Sequence, residues 1–233
     1  MRALAVLVLA LALTALPGLP AAAQNGPYQW WLQLRYWGSG LDFGNPAPPS
    51  AHDNGNGWGG TLRLDHRTMP WSLSFRYDAL SVTPTNWVWD RFSVWDANVH
   101  YRFGPSLDTF FGILAGWQGT NVNAPGSAFN TGSGSGLRLG AEAFHRNGPW
   151  YFTGEASYAW LGTGGFTGAG LANGNGTDLR AAVGYEFQGG WGLEVGWRQY
   201  TWRIPEASGS GCPFAPGCEW RFSGVTAALT FRK

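Results

Sequence analysis

The sequence predicts an all-β chain: a transmembrane, antiparallel, up-and-down β-barrel of about ten strands, with eight or twelve as the alternatives. Three observations predict it. Segments along the whole chain alternate apolar and polar residues with a period of two. The connections between them alternate between short and long. Charges fall on one of the two faces, while aromatics collect at the ends of the other.

The clearest stretch runs from Leu137 to Trp160. Leu137, Leu139, Ala141 and Ala143 are apolar, and Arg138, Gly140, Glu142 and Phe144 lie between them. His145-Arg146-Asn147-Gly148-Pro149 then calls for a tight turn. Beyond it Trp150, Phe152, Gly154, Ala156, Tyr158 and Trp160 alternate with Tyr151, Thr153, Glu155, Ser157 and Ala159. This is a hairpin with one apolar, aromatic-edged face and one small or charged face.

Met1-Arg2, an apolar run from Ala3 to Ala15, the breakers Pro17, Gly18 and Pro20, and Ala21-Ala22-Ala23 together read as a secretory signal peptide over residues 1–23. Residues 24–233 are expected to form one barrel domain. Charged residues make up 12% of the chain and aromatics 16%, with 36 Gly and 15 Trp, which argues against disorder. A net charge of +1 gives no sign of a nucleic-acid partner. No later run approaches the length of a membrane helix. An exported chain this rich in Trp must therefore put its aromatics on strands.

In order, Trp30, Leu32, Leu34 and Tyr36 alternate with Trp31, Gln33 and Arg35. A polar segment from Ser39 to Gly57 reads as a long loop. Leu62 and Leu64 oppose Thr61, Arg63 and Asp65. After the turn at 66–70, Trp71, Leu73, Phe75 and Tyr77 oppose Ser72, Ser74, Arg76 and Asp78. Trp95, Ala97, Val99, Tyr101 and Phe103 oppose Asp96, Asn98, His100 and Arg102. Gly104-Pro105-Ser106 turns the chain into Phe111, Ile113, Ala115 and Trp117, and Gly119 to Ser135 is read as a second long loop. The hairpin follows, then a third loop from Leu161 to Thr177. Leu179, Ala181, Val183, Tyr185 and Phe187 oppose Arg180, Ala182, Gly184 and Glu186. Trp191, Leu193, Val195 and Trp197 oppose Gly192, Glu194, Gly196 and Arg198. A last loop spans about Ile204 to Glu219, and Val225, Ala227, Leu229 and Phe231 close the chain.

Aromatics follow the short turns at Trp71, Phe110 or Phe111, Trp150 and Trp191, about 40 residues apart. The unit is a hairpin plus its long loop. A propeller blade has a similar period but needs four strands, and only two fit.

One face carries Arg35, Arg63, Arg76, Arg102, Arg138, Arg180 and Arg198 with Asp65, Asp78, Asp96, Glu142, Glu155, Glu186 and Glu194. These are expected to form a charged network inside the barrel, with His100 among them. The signs are nearly balanced, as a packed interior of low dielectric requires. The other face carries essentially no charge. Trp30, Trp71, Phe111, Trp117, Trp150, Trp160, Trp191, Trp197 and Phe231 edge it and are expected at the two membrane interfaces. A secreted soluble β-sandwich or barrel is the competing fold. No strand here is apolar on both faces, and backbone groups in lipid must all be paired, which requires a closed sheet.

On this pattern, which covers the whole mature chain, the sequence resembles the bacterial outer-membrane β-barrel proteins, among them the porin-like small barrels. The resemblance implies short periplasmic turns, long outer loops, an even strand number and a place in the outer membrane. It implies the lipid bilayer and the outer-membrane assembly machinery as partners, with an extracellular partner reached through the loops. Such proteins often end in an aromatic, whereas here Arg232 and Lys233 follow Phe231.

Chemistry is sparse. Cys212 and Cys218 lie in the last long loop, and export favours a disulfide between them. No His or second Cys pair accompanies them as for a metal, and no cofactor is implied. His66 and His145 sit in short turns. His52-Asp53 is the one pair where an enzyme working at the outer rim would need it, but the Asp pair of the ten-stranded outer-membrane proteases has no counterpart. Nor is there a His-x-Ser of the kind lipid-A deacylases carry. Three classes remain: a structural or surface-interaction barrel acting through its loops, a narrow pore, and a hydrolase. Eight strands just fill themselves with side chains and sixteen hold channels, so about ten strands lie near the filled end. The first class is the expected one.

Overall fold

The computed structural model describes residues 26–44, 52–83, 91–123, 131–164, 174–205 and 217–233. The expected signal peptide (residues 1–23) and Cys212 lie outside the described residues, as does the side chain of Cys218, and the expected disulfide with them.

Ten strands follow one another: β1 (Tyr28–Gly44), β2 (His52–His66), β3 (Trp71–Thr83), β4 (Arg91–Ser106), β5 (Thr109–Asn123), β6 (Thr131–Asn147), β7 (Trp150–Gly164), β8 (Gly174–Glu186), β9 (Trp191–Pro205) and β10 (Gly217–Arg232). Each pairs antiparallel with its sequence neighbours, and β1 pairs with β10 to close the barrel. Closure leaves no free sheet edge. The first and last strands meet in the seam, where Trp30 N–H donates to the Lys233 carbonyl at 2.8 Å and Lys233 N–H returns a bond to Trp30 at 2.9 Å.

Alternation sorts the side chains. In β3, Leu73, Phe75 and Tyr77 point outward and are about half exposed, while Ser72, Arg76 and Asp78 are buried inside. Leu139, Val183, Leu193, Val195 and Leu229 continue the same exposed apolar belt around the wall. A soluble protein would not leave so much contiguous apolar surface in water. The belt makes this a transmembrane barrel. No helix among the described residues is long and apolar enough to cross a membrane, and the strands do the crossing.

The short connections join β2–β3, β4–β5, β6–β7 and β8–β9 at one end. In the β6–β7 turn Gly148 takes φ +61°, a conformation that a side chain resists. At the other end the strands run further than the polar composition predicts. β1 continues to Gly44 and β2 begins at His52, inside the segment read as a loop, and β6 and β8 likewise begin at Thr131 and Gly174. Ladder hydrogen bonds do not need apolar side chains. The barrel therefore outgrows the apolar belt that marked its strands in the sequence. His52 and Asp53 accordingly pair with Asp42 and Leu41 of β1 in the ladder, and their side chains lie outside the described residues.

Candidate functional site

The barrel interior is stacked in three layers, and chain parity builds each of them. Nearest the short turns lies an aromatic floor. Phe110, Phe144 and Tyr151 stack in sequence, with centroids 5.5 and 5.8 Å apart, and Trp31 meets the last two edge-on. Tyr151 lies flat against the backbone of Gly184, where an added Cβ would sit 2.0 Å from its ring. The guanidiniums of Arg63, Arg102 and Arg232 sit over these rings at 5.3 to 5.7 Å.

Polar groups anchor the edge of this floor. Arg102 donates to the turn carbonyls of His66 and Met69 and lies 3.6 Å from Asp65. Glu186 pairs with Arg146 at 2.7 Å, so it belongs to this rim rather than to the central network. His66 accepts the backbone N–H groups of Thr68 and Met69 at its Nδ1, and His145 meets Thr109.

The middle layer is charged. Asp178 lies at its centre, taking Arg198 at 2.9 Å and Arg76 at 2.7 Å. Arg198 also reaches Asp78 at 2.6 Å, and Asp78 holds Arg35 at 3.2 Å. On the other side Arg76 holds Asp96 at 2.7 Å, Asp96 pairs with Arg138 at 2.9 Å, and Arg138 also contacts Glu155. Arg180 reaches Glu155 at 3.7 Å and donates to Gln33. Four arginines here, Arg35, Arg76, Arg138 and Arg198, are essentially sealed from solvent. They are tolerable there because each faces carboxylates.

A second cluster lies closer to the floor. Arg63 clamps both oxygens of Glu142, at 2.6 and 3.0 Å, and holds Asp65 at 2.8 Å. Between the two clusters is a cavity of about 70 Å³ bordered by Arg63, His100, Glu142, Glu155, Arg180 and Glu194 among others. That is room for on the order of five waters. Glu194 turns to neutral donors, Gln33 at 2.7 Å and Tyr151 at 3.2 Å.

The same cavity brings together Ser74, His100 and Glu142. Ser74 Oγ is 2.8 Å from His100 Nε2, and His100 Nδ1 is 3.1 Å from Glu142 Oε1. The order resembles a nucleophile, a base and an orienting carboxylate. Two features oppose that chemistry. Arg63 already neutralises both Glu142 oxygens. The strands around Ser74 pair continuously on both sides, so their backbone N–H groups are spent on ladders rather than free to hold an oxyanion. The trio reads as one more part of the packed polar interior.

The upper layer is again aromatic. Phe92 stacks on Phe222 at 4.1 Å and tilts against Tyr200 at 5.5 Å, while Trp202 packs on Trp220 at 5.0 Å. Arg198 lies 4.5 Å from the Trp37 ring centroid, linking this lid to the charged layer. Tyr200 OH meets Gln118 at 2.9 Å and Thr120 at 2.7 Å. Leu80, Val94 and Leu161 fill the remainder.

All the charged residues expected inside do face inward, with Glu186 at the rim. Of the aromatics expected at the interfaces, Trp30, Trp71, Phe111, Trp117, Trp150, Trp160, Trp191 and Trp197 are exposed on the outer wall. Phe231 shares their face, but the ring of Trp191 at 4.8 Å covers it and leaves it buried. Asp178 and both aromatic layers were not singled out from the sequence. A signal was present: one step of two from Arg35, Arg180 and Arg198 leads to Trp37, Asp178 and Tyr200, and two such steps from Asp96 lead through Val94 to Phe92. Among the described residues, no group of His, Cys, Asp or Glu is arranged to hold a metal.

No family model matches the chain, and no curated protein matches it. Similar solved structures include the outer-membrane protease OmpT from Escherichia coli, with TM-score 0.49, 10% identity, and coverage of 88% of this chain and 96% of that one. Neisserial surface protein A gives TM-score 0.39 at 10% identity, covering 87% and 96%. An outer-membrane channel from Pseudomonas putida F1 gives TM-score 0.42 at 13% identity, covering 92% and 97%. With its closed ring of ten antiparallel strands, short connections at one end and apolar outer wall, the chain has the fold of an up-and-down transmembrane β-barrel.

Proposed function

We propose that this protein is an outer-membrane barrel closed to solute flow, whose work is done by the connections at its long-loop end. One observation carries the reading: two aromatic layers bracket a charge-paired middle, so the interior is filled across its section at three heights. A channel needs a continuous wetted path, whereas the cavity of about 70 Å³ lies at mid-height with an aromatic layer on either side of it. The barrel is then a rigid anchor, and specificity belongs to the segments it presents outside. The short turns face the periplasm and the long connections the exterior, and an N-terminal signal peptide directs export.

Conductance of the refolded protein in a planar bilayer tests this. The expected result is silence from the wild type. Steady single-channel currents would overturn the reading. Recovery of the protein as a soluble periplasmic species, rather than in the outer membrane with heat-modifiable gel mobility, would overturn the localisation.

A further inference from the structure

The lipid-facing wall carries no charge along its belt, yet three charged side chains stand together on it at the long-connection end. Arg203 and Arg221 both bind Glu219. Arg203 donates from Nε at 2.9 Å and from Nη2 at 2.5 Å to Oε2, and Arg221 donates from Nη2 at 2.9 Å to Oε1. Glu219 is 16% exposed, whereas Arg203 and Arg221 are 60% and 47% exposed. The carboxylate is thus covered and the guanidinium edges are open. The trio carries one net positive charge.

Depth gives this arrangement meaning. A tilted strand crosses the hydrocarbon in about ten residues. Counted along β9 from Trp191, that distance ends near Thr201. Counted back along β10 from Phe231, it ends near Arg221. The trio therefore stands at headgroup level. Strand register puts Asn175 beside Arg203, with Thr201 and Ser223 on the same outward face just below, where the apolar Trp197 and Val225 give way to hydroxyl and amide groups. Two splayed guanidiniums with hydroxyl and amide neighbours match a phosphate ester carried on a polar headgroup.

We propose that Arg203 and Arg221, held apart by Glu219, form a binding site for the phosphate of an anionic membrane lipid on the outer wall of β9 and β10. Unbound, the two guanidiniums would face the headgroup region with a single carboxylate between them. A lipid phosphate supplies the missing counter-charge, and its acyl chains lie along the apolar wall below.

The test uses the full-length protein refolded into phosphatidylcholine vesicles with and without a minor share of phosphatidylglycerol, extracted gently, with retained lipid counted by native mass spectrometry. The wild type should retain phosphatidylglycerol, and the Arg203→Gln/Arg221→Gln variant should retain about tenfold less. Heat-modifiable mobility confirms that the variant has inserted, which separates loss of the site from loss of the membrane reading on which it rests. Should the double variant fail to insert, Arg221→Gln alone is read in the same way, and Glu219→Gln should retain more lipid than the wild type. Arg91, an outward residue of β4 on the opposite wall, supplies the control, and Arg91→Gln should retain as much as the wild type. Equal retention by the double variant, equal loss in Arg91→Gln, or equal retention of phosphatidylcholine each overturns the site. Displacement of the lipid by millimolar inorganic phosphate would overturn the lipid assignment in favour of free phosphate.

Discussion

Arg76 and Asp78 lie on the same strand as Phe75 and Tyr77, yet the two pairs live in opposite solvents. The first pair is buried among counter-charges, and the second is about half exposed to where lipid would be. A β-strand separates them by one peptide unit. The inner face is polar at mid-height and aromatic at both ends, whereas the outer face is apolar at mid-height and polar only at its outer end. The contrast shows what holds each face. The inner face is fixed by pairing, so removing one member leaves an orphan. The outer face is fixed by transfer, so what matters is the polarity of the added atom and its depth.

The largest expected effect therefore belongs to the residue with the most buried partners. Asp178→Ala would leave Arg76 and Arg198 without their shared carboxylate, and about 3–5 kcal/mol of folding stability should be lost. Urea unfolding in vesicles measures it. A loss below about 1 kcal/mol would show that water enters the charged layer, and the filled interior would no longer hold. The converse holds for the outer wall: Leu139→Arg or Val183→Arg should cost about 2–4 kcal/mol at mid-membrane. Inward Thr153→Asn and Ala182→Ser border the cavity and should be tolerated far better. Equal cost on both faces would invert the face assignment.

Much of this division was legible in the sequence. Period-two alternation identified both faces of the Leu137–Trp160 hairpin, and the charged residues gave the inner face before any register was known. What stayed hidden has physical causes. Loop-like composition masked the strand ends, because Gly, Asn and Ser can pair in a ladder without adding to an apolar belt. That is why Asp178, one residue beyond a segment read as loop, was left out of the network it centres. Trp37, Phe92, Tyr200 and Phe222, which point inward by parity, lie next to or within polar segments where the alternation was not followed. Which charge meets which could not be read at all. Arg198 and Asp78 are 120 residues apart in sequence and 2.6 Å apart across the lumen, a contact set by barrel stagger.

A smaller effect tests whether the Ser74–His100–Glu142 run is structure or chemistry. If Ser74 serves only as a hydrogen-bond partner, Ser74→Ala should cost about 0.5–1.5 kcal/mol. Labelling of the wild type by a small fluorophosphonate should then be absent. A covalent adduct mapped to Ser74, abolished in Ser74→Ala and in His100→Ala, would make the interior a hydrolase site instead.

The smallest effect gives the sharpest form of the comparison, because it keeps the strand, the residue type and the pairing while changing only the surroundings. Arg198 and Arg203 both lie on β9. Each donates from Nε to a carboxylate at 2.9 Å, Arg198 to Asp178 and Arg203 to Glu219. By distance the two ion pairs are equivalent. By burial they are not, since the side chain of Arg198 is 0% exposed and that of Arg203 60%. Water and salt screen the outer pair, so in uncharged detergent Arg203→Gln should cost between about 0 and 1 kcal/mol. Arg198→Gln removes the buried counter-charge that Asp78 and Asp178 share, leaving Asp78 to Arg35 and Asp178 chiefly to Arg76, and should cost about 3–5 kcal/mol. Raising salt should shrink the first figure and leave the second nearly unchanged, because buried pairs are screened far less. Parallel unfolding curves of the two variants at low and high salt decide the matter. If both lost the same stability and both responded to salt, the lumen would be as wet as the surface, and burial would not be what separates the inside of this barrel from its outside.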